Sequence, residues 1–226
     1  MKKVLIFSAL VFMTTQYCHS QNVDLATLKF PLAKSAVEKY HLVDQELNAA
    51  GKYQRLSTTD AGVLNYDKQK LAGKNAASNN FENTNSVTFF NDEATKKIDG
   101  YQLKTFTAAE SKKLLTSLNT KFGKPGYDYG TDIRMRIWES ADKKVLYLFE
   151  YRSGAAAKSS ELAELKVLNA SATVLVNYFL GAGFGRYKDY LLTKARKTPA
   201  YSYTDFLKEM KARGSMTYLQ GSNTVK

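Results

Sequence analysis

The sequence predicts an α+β fold: a small antiparallel sheet with one packed, capped helix, followed by a helical carboxyl-terminal layer. Three observations lead there. Ile133–Glu139 and Val145–Arg152 are rich in branched and aromatic residues and flank a polar turn at 140–144. Between 107 and 125 the chain signals both ends of a helix. Beyond 161, apolar residues recur at helical spacing with glycine and proline stops.

From the amino-terminal side, residues 21–31 read as extended or irregular. Leu32, Val37, Tyr40, Val43 and Leu47 then form a stripe near the helical period, with Gly51 as the stop, which predicts a helix over 32–50. Short strands are expected at 53–57 and 62–66. An Asn/Ser-rich stretch, 75–85, reads as an exposed loop, because short polar side chains compete with backbone ladders for hydrogen bonds. Strands at 86–90 and 98–106 follow, joined by a polar turn at 91–97. In the second, Tyr101, Leu103 and Thr105 alternate with Gln102, Lys104 and Phe106.

Thr107 with Glu110 three residues on has the spacing of a capping box. Leu114, Leu115, Leu118 and Phe122 give the buried face, Gly123 a terminal cap, and Pro125 prevents continuation. After a Gly/Tyr-rich loop come the two strong strands. In the second, Val145, Tyr147, Phe149 and Tyr151 take one face and Leu146 and Leu148 the other, so that strand is expected to be central and covered on both sides.

Residues 153–159 read as a small-residue linker. In 161–180, Lys166, Asn169, Thr173 and Asn177 recur at steps of three and four, which predicts one mostly apolar helix with a polar stripe. Tyr187, Tyr190, Leu191 and Ala195 mark a further helix closed before Pro199. Ser202 with Asp205 opens a last one through Arg213, and 215–226 is expected to fray. The organisation is a leader at 1–20, a helix-plus-sheet region at 21–152, and a helical region at 153–226 belonging to the same domain.

Lys2 and Lys3 precede the apolar run 4–13, and a more polar tail ends at Ser20. That is the layout of a secretory signal peptide, too short to span a bilayer, and cleavage is expected after Ser20. It would remove Cys18, the single cysteine, and His19, one of two histidines. The remaining chain, with no transmembrane segment, would be exported, either periplasmic or secreted. Without thiols and with His41 alone, disulfides, a cysteine nucleophile, a Cys-rich zinc site and a two-histidine zinc site are excluded from that chain. No metal and no cofactor are expected.

The formal charge is +12, with the excess spread along the chain. Diffuse basicity fits association with anionic partners, and without a concentrated patch or motif no nucleic-acid partner is expected. Strand alternation places Arg134, Arg136 and Trp138 on one face, where two guanidiniums beside an indole can clamp an anion or stack on a sugar. The alternative is an amphipathic strand under a helix. Tyr127 and Tyr129 can extend the same surface. Between Arg186 and Arg213 eight cations face three acids, and Lys188, Lys194 and Lys197 are candidates for an anion-attracting surface. The expected function is a non-enzymatic interaction protein, such as an envelope accessory factor, inhibitor or immunity-type binder, docking a protein or an anionic envelope component. The alternative is a carboxylate-dependent hydrolase of an envelope polysaccharide, using Asp128, Asp132, Glu139 or Glu150.

Overall fold

The segments of period two meet in one antiparallel sheet, and the chain has the α+β class. The computed structural model describes residues 22–45, 49–75, 83–153 and 162–224. Among these, the strands are β1 (Leu32–Ala33), β2 (Val43–Asp44), β3 (Tyr53–Thr58), β4 (Asn65–Tyr66), β5 (Gln69–Lys70), β6 (Ser86–Asp92), β7 (Lys97–Thr105), β8 (Tyr127–Tyr129), β9 (Ile133–Glu139), β10 (Val145–Arg152) and β11 (Ala163–Asn169). The helices are α1 (Ala108–Phe122), α2 (Thr173–Gly181), α3 (Gly185–Lys194) and α4 (Tyr203–Ala212). The sheet is larger than the sequence suggests. Nine strands run in the order β2-β3-β6-β7-β11-β10-β9-β8, with β1 also paired to β7, and β4-β5 form a separate hairpin.

Both faces of the sheet are covered. Tyr101, Leu103, Phe149 and Leu165 meet Leu114 and Leu118 of α1, together with Val37 and Tyr40 from the amino-terminal segment. On the opposite face Phe90, Ile137, Leu146, Leu148 and Leu168 meet α2, α3 and α4 through Leu175, Phe179, Tyr187, Tyr190, Phe206 and Leu207. The two-sided apolar pattern of β10 therefore marks a strand between two layers. Gly100 allows β7 and β11 to approach at the centre, since a Cβ there would lie 2.6 Å from the Val167 carbonyl oxygen.

Several local expectations are corrected. Residues 32–45 are not helical but form β1, two short 3-10 turns and β2, with His41 at φ 51. Val37 and Tyr40 are buried while Val43 is 65 % exposed, so the stripe does not share one face. Val43–Asp44 must be extended to pair with β3. The continuation of that helix over 46–48 lies outside the described residues.

The expected helix over 161–180 divides into β11 and α2. Ala163, Leu165 and Val167 alternate with Glu164, Lys166 and Leu168, and β11 fills the slot between β7 and β10. The apparent polar stripe mixes two elements. Since β11 comes from the carboxyl-terminal region and sits mid-sheet, both regions build one sheet. The linker over 154–159 lies outside the described residues.

In the turn region, Asn91 and Asp92 belong to β6 and are buried. Of the expected strand 62–66 only Asn65–Tyr66 is extended. Asn85 is fully buried rather than exposed: its side-chain amide donates to the Leu71 carbonyl and Thr107 Oγ1, and its Oδ1 accepts from the Phe106 amide. That use of Thr107 displaces the capping box, for Thr107 occupies the N-cap position without accepting a helix amide. The reciprocal box forms instead at Ser202 and Asp205 on α4. The Gly/Tyr-rich loop contains β8, and residues 221–224 are pinned against it. Gly130 N–H donates to Gly221, Asn223 N–H donates to the Asp128 carbonyl, and the Asn223 side chain donates to Gly130.

Candidate functional site

Alternation along β9 places Arg134, Arg136 and Trp138 on the α1 face of the sheet. The opposing strand β8 has Asp128 in register with Arg136. Asp128 takes a two-pronged pair from Arg134, with Nε 2.8 Å from Oδ1 and a terminal nitrogen 2.7 Å from Oδ2, and Arg136 Nε lies 3.3 Å from Oδ2. The carboxylate raises the Arg134 pKa, whereas burial lowers that of Arg136. Trp138 is buried and donates its indole N–H to the Gly123 carbonyl at the end of α1. The arginines are thus already engaged by a protein carboxylate. Register also separates the tyrosines from them: Tyr127 and Tyr129 lie on the opposite, helix-covered face, Tyr127 buried and Tyr129 beneath the Arg186 guanidinium at 4.2 Å.

Of the expected lysines, Lys188 is half-buried on α3. Lys197 pairs with Glu209 at 3.3 Å, and Arg213 contacts the same carboxylate. Glu209 also accepts from Tyr201 Oη, and these contacts hold its pKa below the usual range, with the tyrosine hydrogen bond contributing most. Part of the carboxyl-terminal basic excess is therefore internally neutralised.

Lys194 belongs to a cleft of about 510 Å3 between the end of β9, the end of α3 and the segment entering α4. Its cationic rim is Lys124, just past α1, Lys143, in the β9–β10 turn, and Lys194. Lys143 holds φ 57 in that turn, where the Ser140 hydroxyl donates to the Asp142 carboxylate. Glu139, one of the sequence-nominated acids, also lines the cleft and accepts a 2.8 Å hydrogen bond from Tyr187 Oη. Burial and then Glu139 push the Tyr187 pKa far above the usual phenol range. Tyr190 donates to the Tyr201 carbonyl, and its pKa is raised by burial and opposed by the nearby Lys194 ammonium. Tyr201 is pushed up to about 12, by burial and then by Glu209. An adjoining cavity of about 330 Å3 shares Glu139, Lys143 and Lys194 but is otherwise lined by apolar side chains such as Leu146, Val176 and Leu191.

Lys124 and Lys143 escape sequence reasoning because they sit in separate turns, with no periodic pattern to set Lys143 apart from its neighbour Lys144. Only the tertiary fold brings them to the end of α3.

The four nominated acids do not converge. Asp128 lies on the α1 face, and among the described cavities only Glu139 of the four lines one. Glu150 instead stands in register with Glu164 across β10 and β11. Glu150 pairs with Arg152 at 2.6 Å, Glu164 with Lys166 at 2.8 Å, and Lys104 lies 4.0 Å from Glu164. Lys166 is 5 % exposed and sits near the Phe179 and Phe184 rings. Each carboxylate of this pair is thus taken up by an ion pair with a neighbouring cation, rather than facing its counterpart across a cleft. Among the described residues no three His, Cys, Asp or Glu side chains are placed to hold a metal, and no helix is long and apolar enough to cross a membrane. No protein family, curated protein or solved structure matches the chain.

Proposed function

We propose that this is a non-enzymatic interaction protein, exported to the periplasm or secreted, that docks an anionic partner. The observation that carries this reading is one cleft lined by Lys124, Lys143 and Lys194 and by a single carboxylate, Glu139, which Tyr187 already holds. Three lysines lining one concave surface against a single acid give it a net positive charge that attracts an anion, and their flexible side chains can rearrange around it. The leader-like residues 1–20 support export. The hydrolase reading is weaker, because Asp128 pairs with arginines on the α1 face, Glu139 lines the cleft and Glu150 pairs with Arg152, so these acids do not face one another.

The test is sedimentation with phosphatidylglycerol vesicles at rising salt, for the wild type and for the triple variant Lys124→Glu, Lys143→Glu, Lys194→Glu. Binding should be lost in the variant and weakened by salt, since exposed charges are screened over about 8–10 Å at ordinary ionic strength. Retention indifferent to salt and to all three reversals would refute the assignment. For export, intact-mass measurement of the released protein should show loss of residues 1–20.

A further inference from the structure

The cleft and its apolar neighbour form a two-part site with its charges in the middle. Lys143, Lys194 and Glu139 line both parts. On one side stand the tyrosines with Ser202, Thr204 and Thr224; on the other stand Val145, Leu146, Val176 and Leu191. Tyr187, Tyr190 and Tyr201 each spend their hydroxyl proton on a protein acceptor. Their oxygens retain lone pairs, as does the Glu139 carboxylate, so this side accepts hydrogen bonds from a ligand that brings donors. Hydroxyl groups are such donors. The middle calls for an anion, and the far side for aliphatic carbon, which gains from leaving water.

We propose that the site takes an anionic amphiphile: a phosphate at Lys143 and Lys194, joining a small hydroxylated head among the tyrosines to an acyl chain beside Val176 and Leu191. A single-chain phosphoglycerol lipid has this chemistry. This rests on the anion-binding reading above and specifies its ligand. A peptide fits less well, because an extended main chain needs an open strand edge, and at this end of β9 only Trp138 and Glu139 lie beyond the pairing with β8, too short a stretch to add a strand.

Calorimetric titration of the full exported chain with three probes tests the idea: a monoacyl phosphoglycerol lipid below its micelle concentration, glycerol 3-phosphate, and a monoacylglycerol of the same chain. The lipid anion should bind at least about tenfold tighter than glycerol 3-phosphate, the gain from burying roughly two methylene groups. The neutral lipid should bind weakly. Lys143→Glu with Lys194→Glu should abolish binding of both anions. Leu191→Trp, which fills the apolar part, should reduce binding of the lipid alone. Ala195→Phe, at an exposed rim position, is the second filling variant should Leu191→Trp not fold. Equal affinity for head and lipid, indifferent to the filling variants, would overturn the amphiphile while leaving anion binding intact. Preference for an acidic peptide over the lipid would overturn it too. If no anion binds, both readings fall.

Discussion

Raising the pH should unfold this protein through its tyrosines. Tyr66, Tyr101, Tyr127, Tyr187 and Tyr203 are each no more than 4 % exposed, and all five have pKa values pushed above the usual phenol range, chiefly by burial. The folded state keeps these protons longer than the unfolded chain, where a phenol titrates near 10. The stabilisation is complete below pH 10 and is lost as pH rises from there toward the raised folded values. Between pH 10 and those folded values each tyrosine removes about 1.4 kcal/mol of stability per pH unit, so five together remove about 7 kcal/mol per unit. A domain stable by about 5–15 kcal/mol would then unfold roughly 0.7 to 2 units above pH 10. Phenolate absorbance and far-ultraviolet circular dichroism, followed together, provide the assay. The buried phenols should appear in one cooperative step that coincides with loss of secondary structure. Gradual titration of all tyrosines near pH 10 in an intact fold would refute the reasoning. Tyr203→Phe sharpens the test. The Tyr203 hydroxyl is buried with no hydrogen-bond partner among the described residues, so its removal should leave neutral-pH stability unchanged or raised, and should make the alkaline loss less steep.

Two substitutions probe the polar anchors by urea denaturation. Asp128→Ala removes the carboxylate shared by Arg134 and Arg136, and Arg136 is nearly enclosed, with a side chain 12 % exposed. Leaving that charge uncompensated should cost about 3–5 kcal/mol; a cost below about 1 would mean that water replaces the carboxylate. Asn85→Ala strands the Phe106 amide and the Leu71 carbonyl together, and at about 1–3 kcal/mol for each buried group the loss should be about 2–6 kcal/mol. An unchanged midpoint would show that Asn85 does not tie the β4–β5 hairpin to the start of α1.

Local chemistry was sufficient for some elements. β9 and β10 begin and end where branched and aromatic alternation gives way to polar turn residues, and α1 stops at Gly123, at φ 66 and ahead of Pro125, because that terminus is written in local chemistry. α4 opens on the Ser202–Asp205 pair for the same reason. The leucines of α1 divided as a stripe should, with Leu114 and Leu118 buried and Leu115 and Phe122 packed at the margin. Lys194 and Glu139, nominated from the sequence for separate reasons, line the same cleft.

Tertiary structure decided what local preference leaves degenerate. Residues 163–169 carry both a helical and a strand pattern, and the vacant position between β7 and β10 selects the strand because it satisfies backbone groups on both sides at once. Val37 and Tyr40 fill the α1 face without a helix, since burial of the two side chains outweighs a weak local period. Whether Arg134 and Arg136 face a ligand or Asp128 depended on the register of β8, which a three-residue strand does not announce. The cleft itself is the clearest case. Lys124, Lys143 and Lys194 come from a helix exit, a hairpin turn and a helix end, and no periodicity links them. Their convergence follows from how α3 packs on the sheet, a property of side-chain fit between distant segments rather than of any one stretch of sequence.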